Sequence, residues 1–393
     1  MRRRLRSTRP GLCEHRLGAL VCADAAICKS VAATVAEPIG VSDPSLSASV
    51  TADALTDALR RGGALKSGRV SAVVVEPART TVLSTIMRLR LTYEGPQEGA
   101  PASLIVKGPI AERLAADWSG GRQEVAFYQR VGDATPQGIL PRCFDATWDA
   151  ATNDWRLILE DLADTHVIAT TWPLPPLKAD CERIVRAWAR FHGQWWGDAR
   201  LGLSIGRWAD AAGVAAYLAR LAEKLAQFVD RLGDRLPQER RQLYEHLLDR
   251  APRLLARTDD RRNVTIVHGD AHVWNCFLPR DDGDDVRLFD WDSWRLGVAT
   301  DDLAYMMAVH WHPDRRARME RSLLDAYHRS LCADGVSGYA RSALADDYRL
   351  SALWQITTPL WQAGAGIPPV IWWNNLERIF MAIDDLGCRE LLQ

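Results

Sequence analysis

The chain of 393 residues reads as an α+β protein of two lobes, β-rich in its N-terminal half and helical in its C-terminal half. Three observations predict this. Runs of β-branched and aliphatic residues broken by turn residues occupy 70–161, amphipathic helical spacing takes over after Pro176, and the length suffices for two separate cores. A hydrophobic content of 47% and a charged content of 25% suit an ordinary globular protein. A net charge of -1 supplies no global field to draw nucleic acid or an anionic membrane surface, so neither partner is expected. No stretch reads as a transmembrane span.

Residues 1–45 have weak periodicity and end in a linker-like Pro38-Ile-Gly-Val-Ser-Asp-Pro44. Their basic start and the apolar Leu17–Ala36 resemble a secretory leader, but Asp24 and Lys29 interrupt the apolar part and no cleavage site follows. A disordered or mis-started extension of a cytoplasmic protein is expected instead. The eight cysteines form no C-x-x-C pair and no zinc spacing, which suits reduced cytosolic thiols.

An N-lobe is expected over 46–163 and a C-lobe over 164–393. Asp53–Arg61 is a short helix ended by Gly62-Gly63. Val70–Val75 and Thr81–Leu91 read as a hairpin turning at Glu76-Pro-Ala-Arg79. Ser103–Lys107 is a strand stopped by Gly108-Pro109, Gln123–Val131 a helix, and Trp155–Asp161 a further strand. In the C-lobe, Ile184, Trp188, Phe191 and Trp195 mark one amphipathic helix. Leu218, Leu221, Leu225, Phe228 and Leu232 mark a second, and Gln242–Leu255 is a third with a break or kink near Pro252.

The chemistry concentrates in Val264–Leu278 and Val286–Asp292, two apolar strand-like runs around a loop carrying His268, Asp270 and Asn275, the second run ending on Asp290 and Asp292. A carboxylate just past a strand can orient a hydroxyl and accept its proton, while an amide oxygen and a second carboxylate are hard ligands of the kind magnesium prefers. Any one of these residues also fits a turn or a cap. Their joint spacing is what favours phosphoryl transfer.

His268-Gly-Asp-Ala-His-Val-Trp-Asn275 with Asp290-Trp-Asp292 resembles the aminoglycoside phosphotransferase and choline kinase-like superfamily, small-molecule relatives of the protein kinases. The resemblance spans roughly residues 65–390. It implies a protein-kinase-like fold with the nucleotide in the cleft between the lobes, and a phosphotransferase using ATP and Mg2+. Asp270 would be the catalytic base, and Asn275 and Asp290 the metal ligands. Lys107, in Leu104-Ile-Val-Lys107, would hold the phosphates with Glu124. Glu160 and Leu162, in Leu157-Ile-Leu-Glu-Asp-Leu162, would lie in the hinge whose backbone receives the adenine. His268 would brace the loop, His272 fills a variable loop position, and Asp292 would either assist a second metal or hydrogen-bond the hairpin. Asp302 would be a brace and helix N-cap. The pattern departs from a kinase at the first hairpin, which lacks G-x-G-x-x-G. Backbone N–H groups, Thr80 or Thr81 and Arg79 would cover the phosphates there.

About a dozen residues separate Asp290 from Asp302, with no Ala-Pro-Glu after them, so there is no room for a peptide platform and a small-molecule acceptor is expected. Ser351–Asn375 contains no charged residue and holds Trp354, Trp361, Trp372 and Trp373. These can be core or can wall an acceptor pocket. An uncharged wall favours a neutral or amphiphilic alcohol, sugar or antibiotic. A cationic aminoglycoside would need pocket acids, for which Asp198 and Asp210 are candidates, and choline-type acceptors also suit aromatic walls. A nucleotide-binding scaffold without catalysis is the alternative of another class.

Overall fold

The computed structural model describes residues 50–81, 84–110, 119–281 and 283–393, so the extension expected at 1–45 lies outside the described residues. Helix α1 (Ala52–Arg61) opens on Thr51, whose hydroxyl accepts from Ala54 N–H at 3.3 Å, an N-cap. It covers one face of an antiparallel sheet made of β1 (Arg69–Val75), β2 (Arg79–Thr80), β3 (Thr85–Glu94), β4 (Ser103–Gly108), β5 (Cys143–Trp148) and β6 (Trp155–Glu160). The order is β1-β3-β4-β6-β5, with β2 pairing β3.

The first hairpin differs from expectation. Arg79 and Thr80 pair with Ile86 and Thr85, so the chain reverses at 81–84 and not at Glu76–Arg79. Pro77 lies between β1 and β2, where it removes no ladder hydrogen bond. Strand β5 was not anticipated. Its Asp145 and Thr147 dilute the apolar signal, and its pairing with the neighbouring β6 is what defines it.

Strand pleating divides the sheet between two cores. Leu104 and Val106 of β4 and Ile158 of β6 pack with Leu55, Leu59 and Leu89 on the α1 side. Leu157 and Leu159 face the opposite way, toward α2 (Gly120–Phe127) and the main core. The same alternation puts Lys107 on the α2 side of β4.

The C-lobe holds α3 (Lys178–Gln194), α4 (Ala211–Leu232), α5 (Gln238–Leu255), α6 (Thr300–Ala304), α7 (Pro313–Ala333), α8 (Arg341–Trp354), α9 (Thr358–Gly364) and α10 (Pro369–Asp385). α5 runs through Pro252 to Leu255, three residues beyond it, so the proline sits in the last turn and does not break the helix earlier. The loop-flanking strands also join differently from a simple hairpin. β8 (Thr265–Val267) pairs with β11 (Arg295–Gly297), whereas β9 (Cys276–Pro279) lies between β7 (His166–Ile168) and β10 (Arg287–Leu288). No helix among the described residues is long and apolar enough to cross a membrane.

The placement of α2 rests on Gly121. A Cβ there would meet the Trp155 ring at 2.2 Å, so only glycine lets the helix lie this close to β6. Gly121→Ala should therefore push α2 outward and cost about 1–3 kcal/mol in urea unfolding. Because α2 carries Glu124, the same variant should also loosen the ion pair of that residue with Lys107.

Candidate active site

Four backbone segments bring the polar residues together. The Lys107 ammonium, at the end of β4, donates to Glu124 Oε2 at 2.6 Å and to Asp290 Oδ1 at 2.5 Å. Glu124 is 1% exposed and Lys107 9%, so the pair is desolvated and its geometry must repay that cost. Burial works against the Lys107 charge, but Asp290, Glu124 and Asp292 outweigh it and hold the ammonium protonated. Burial pushes Glu124 up despite Lys107, and the Trp291 N–H supplies it a further hydrogen bond.

Asp290 stands in the left-handed region at φ +70, which turns its carboxylate back toward Lys107. The residue after it anchors the turn. Trp291, fully buried, stacks on Phe127 of α2 with ring centroids 4.1 Å apart, and touches Phe191 at 4.5 Å and His268 at 4.5 Å.

Asp302 holds the loop after β8. Its Oδ2 accepts from His268 N–H at 2.7 Å and from His192 Nε2 at 3.1 Å, and its Oδ1 from Gly269 N–H at 3.0 Å. Burial would raise its pKa, but the hydrogen bond and charge of His192 and the His268 contacts carry it below the carboxylate norm. The residue is a brace, as expected, but not the N-cap, which is Ala299; Asp302 already lies inside α6. Gly269, at φ +83, is obligatory because a Cβ would meet the Ser293 carbonyl oxygen at 2.3 Å. His268 uses both ring nitrogens, donating from Nε2 to Phe289 O at 2.9 Å and accepting at Nδ1 from Asp270 N–H at 3.2 Å.

Asn275, 1% exposed, donates from Nδ2 to the Asp270 backbone oxygen at 2.9 Å and to Asp270 Oδ2 at 3.3 Å. Its amide oxygen is thereby turned the other way. Burial opposes charge on Asp270, yet His272, 3.4 Å from Oδ2, and the Tyr305 hydroxyl hold the carboxyl far below the usual carboxylate range. Asp292 goes the other way. Burial and the charges of Asp290 and Asp270 push it well up against the pull of Lys107, and Ser293 Oγ donates to it at 2.7 Å. No group of three or more His, Cys, Asp or Glu side chains among the described residues could hold a metal ion. The donor set that fits one is mixed: the Asn275 amide oxygen with Asp290, hard oxygens suited to magnesium.

The hinge residues divide. Glu160 Oε2 accepts from Arg142 N–H at 3.1 Å and Arg287 Nη1 at 3.3 Å, and the side chain lines a groove of about 700 Å³ whose walls include neither Lys107, Asp270 nor Asp290. Its backbone N–H is engaged as well, donating to Arg142 O at 2.8 Å. The Leu162 carbonyl accepts from Thr165 N–H at 3.1 Å and His166 N–H at 2.8 Å, so that turn is closed. Asp161 fastens the hinge to β3 through Arg88, Nε to Oδ2 at 2.5 Å.

Of the aromatic candidates, Trp372 is core at 3% exposure, and Trp361 is capped by the Lys224 ammonium 4.7 Å from its ring centre. The rings beside Asp270 are others. His272 lies 5.4 Å from Trp274 and 5.7 Å from His310, and Tyr305 lies 5.1 Å from His310. Tyr305–Val309 is a π-helical turn continuing α6. Sequence reading left His272 as a loop residue and overlooked Tyr305 and His310. The only signal was the concentration of four of the chain's nine histidines at 268, 272, 310 and 312. Asp198 and Asp210 are not pocket acids, since one pairs with Arg200 at 2.8 Å and the other caps α4 through Gly213 N–H at 2.7 Å.

A model of the ecdysteroid kinase-like family matches residues 211–334, which include Asp270, Asn275, Asp290 and Asp302. No curated protein matches the chain. Among solved structures, a protein assigned as an aminoglycoside phosphotransferase from Ralstonia eutropha superposes with a TM-score of 0.50 at 15% identity, covering 86% of this chain and 98% of its own. The choline kinase of Cryptosporidium parvum gives a TM-score of 0.50 at 11% identity, covering 82% and 90%. The chain shares the fold of these two proteins. Two lobes with a β-sheet on one side and helices on the other meet the expectation from sequence, and the resemblance to the aminoglycoside phosphotransferase and choline kinase-like superfamily holds at the level of fold.

Asp302→Ala would orphan two buried N–H groups and the His192 imidazole. It should cost about 3 kcal/mol of stability in denaturant unfolding. The depressed Asp302 carboxyl stabilises the folded state above its unfolded pKa and loses that contribution as pH falls, so the deficit of the variant should shrink in acid.

Proposed function

We propose that the protein is an ATP- and Mg2+-dependent phosphotransferase that moves the γ-phosphate to a hydroxyl of a small molecule. One observation supports this above the rest. Lys107 and Glu124 of the N-lobe join Asp290 of the C-lobe, and Phe289, the residue before Asp290, is hydrogen-bonded through its backbone to His268 and Asn275, which hold Asp270. The family match over 211–334 supports the same reading.

In this reading the N-lobe over 46–163 binds the nucleotide and the C-lobe over 164–393 supplies the catalytic loop and acceptor site. The adenine sits against the hinge backbone, with the Glu160 carbonyl and the Leu162 N–H as its partners. The Lys107 ammonium binds the nucleotide phosphates, and Glu124 orients it. Asn275 Oδ1 and Asp290 would hold magnesium, which when bound neutralises charge on the phosphates. Asp270 accepts a hydrogen bond from the acceptor hydroxyl and receives its proton as the new O–P bond forms and the bond from γ-phosphorus to the bridging oxygen breaks, releasing ADP. So weak a base acts chiefly by alignment, taking the proton late.

In an ADP-release assay, Asp270→Asn should lose about three orders of magnitude in kcat while still binding ATP-Mg2+. Turnover persisting in that variant would remove the base assignment. Because the Asp270 carboxyl lies below the usual range, its protonation should not limit kcat/KM between about pH 5 and 8. His272→Asn removes the adjacent positive partner, raises the Asp270 pKa and should move the acid limb of the pH–rate profile to higher pH.

A further inference from the structure

Arg378, on α10, is a partly buried guanidinium without a carboxylate. Its polar contacts among the described residues are Nη1 to Asn375 Oδ1 at 3.4 Å and Nη2 to His312 Nε2 at 3.5 Å, both long and both to neutral groups. Its Nε is closed off from solvent with no hydrogen-bond partner. Two other partly buried arginines of this lobe are instead paired with acids. Arg240 grips Glu377 through two bonds of 2.6 Å, and Arg257 grips Asp347 at 2.6 and 2.7 Å. Burying a cation without a counter-charge is costly, and a ligand anion bound there would offset that cost.

The position of Arg378 ties it to the reacting end of the cleft. It touches His312, two residues from His310, and His310 is in ring contact with His272, which reaches Asp270. Burial, the His272 charge and the Arg378 charge together push the His310 imidazole down to about 3, so Arg378 and His272 act on one small volume from two sides. Three further atoms of this volume are buried without a partner: His272 Nδ1, His310 Nε2 and Trp274 Nε1, the last on a ring only 6% exposed. None of the four residues is acidic, and the candidate acids Asp198 and Asp210 are engaged elsewhere.

We propose that the acceptor alcohol carries an anionic group, a carboxylate in the simplest case, which Arg378 binds while His272, Trp274 and His310 hydrogen-bond the oxygens between that group and the reacting hydroxyl. This rests on the kinase reading above and narrows its small-molecule acceptor to a hydroxy acid, in place of the uncharged acceptor that the sequence suggests. A polycationic or quaternary-ammonium acceptor is disfavoured by the same charges.

The test uses matched probes that share a polyol chain and differ in charge: gluconate, gluconamide and glucamine. They are paired with the aromatic set 4-(hydroxymethyl)benzoate, its amide and its amine. ADP release by the full-length protein should be greatest with a carboxylate member. Arg378→Gln should raise KM for that member about 10- to 100-fold, the loss of one charge-assisted hydrogen bond, with KM for ATP and turnover of the amide unchanged. Arg378→Lys should recover part of the preference, which a purely structural role would not show. Equal or better use of amide or amine by the wild type overturns the proposal, and so does an Arg378→Gln effect confined to ATP. If no probe is turned over, calorimetric titration of the two carboxylates into the ADP-Mg2+ complex decides. Binding lost in Arg378→Gln supports the anion site, and binding unaltered by the substitution, or none, overturns it. Failure of the kinase reading is seen separately, as Asp270-independent turnover or absent ATP-Mg2+ binding.

Discussion

The site depends on Trp291. Its ring is fully buried between Phe127 of α2 and Phe191 of α3, against the His268 imidazole. It fixes three things at once: the height of α2 over the sheet, the turn that presents Asp290, and the ring that braces the loop of Asp270. A large aromatic surface withdrawn from water is a strong and undirected attraction. Here the hydrogen bond from the Trp291 N–H to Glu124 and that from its Nε1 to Leu288 O at 3.2 Å give it direction. Polar groups that would repel one another, Asp290, Asp292 and Glu124, are thus held close by apolar packing behind them.

Electrostatics then sort those groups. Asp270 and Asp292 are both largely buried acids of the same cleft, yet one is held ionised and the other is pushed toward its neutral form. The difference lies in their partners. Asp270 has His272 and the Tyr305 hydroxyl, whereas Asp292 faces three other carboxylates and only shares Lys107. The surplus of negative charge here is what the proposed magnesium would offset.

Much of this was legible in sequence. The motif residues carry their chemistry in their own side chains, and their spacing survives any uncertainty about strand ends. The two-lobed architecture followed from a change of hydrophobic period near Pro176. What escaped did so for physical reasons. The first hairpin turns at 81–84 because Arg79 and Thr80 find partners on β3, which local propensity does not reveal. Strand β5 is defined by pairing with β6 and not by its own composition. The catalytic-side aromatics were sought among Trp354, Trp361, Trp372 and Trp373. However, Trp372 is spent on the core, and His272, Trp274, Tyr305 and His310 come together only through tertiary contact. Asp302 was readable as a brace, but its three hydrogen bonds to groups more than thirty residues away were not.

The widened turn at Tyr305–Val309 has a consequence for how such a cleft can change. In a regular α-helix, residues five apart point well away from one another, and Tyr305 and His310 would not share a side. One extra residue in the turn brings their rings to 5.1 Å, while the hydrogen-bonded start at Asp302 and the proline-led α7 beyond stay where the fold needs them. Insertion or deletion of a single residue here would therefore rotate the rings beside Asp270 without disturbing the lobe that carries them. This gives the scaffold a means of changing what faces Asp270 while the loop that carries it stays in place.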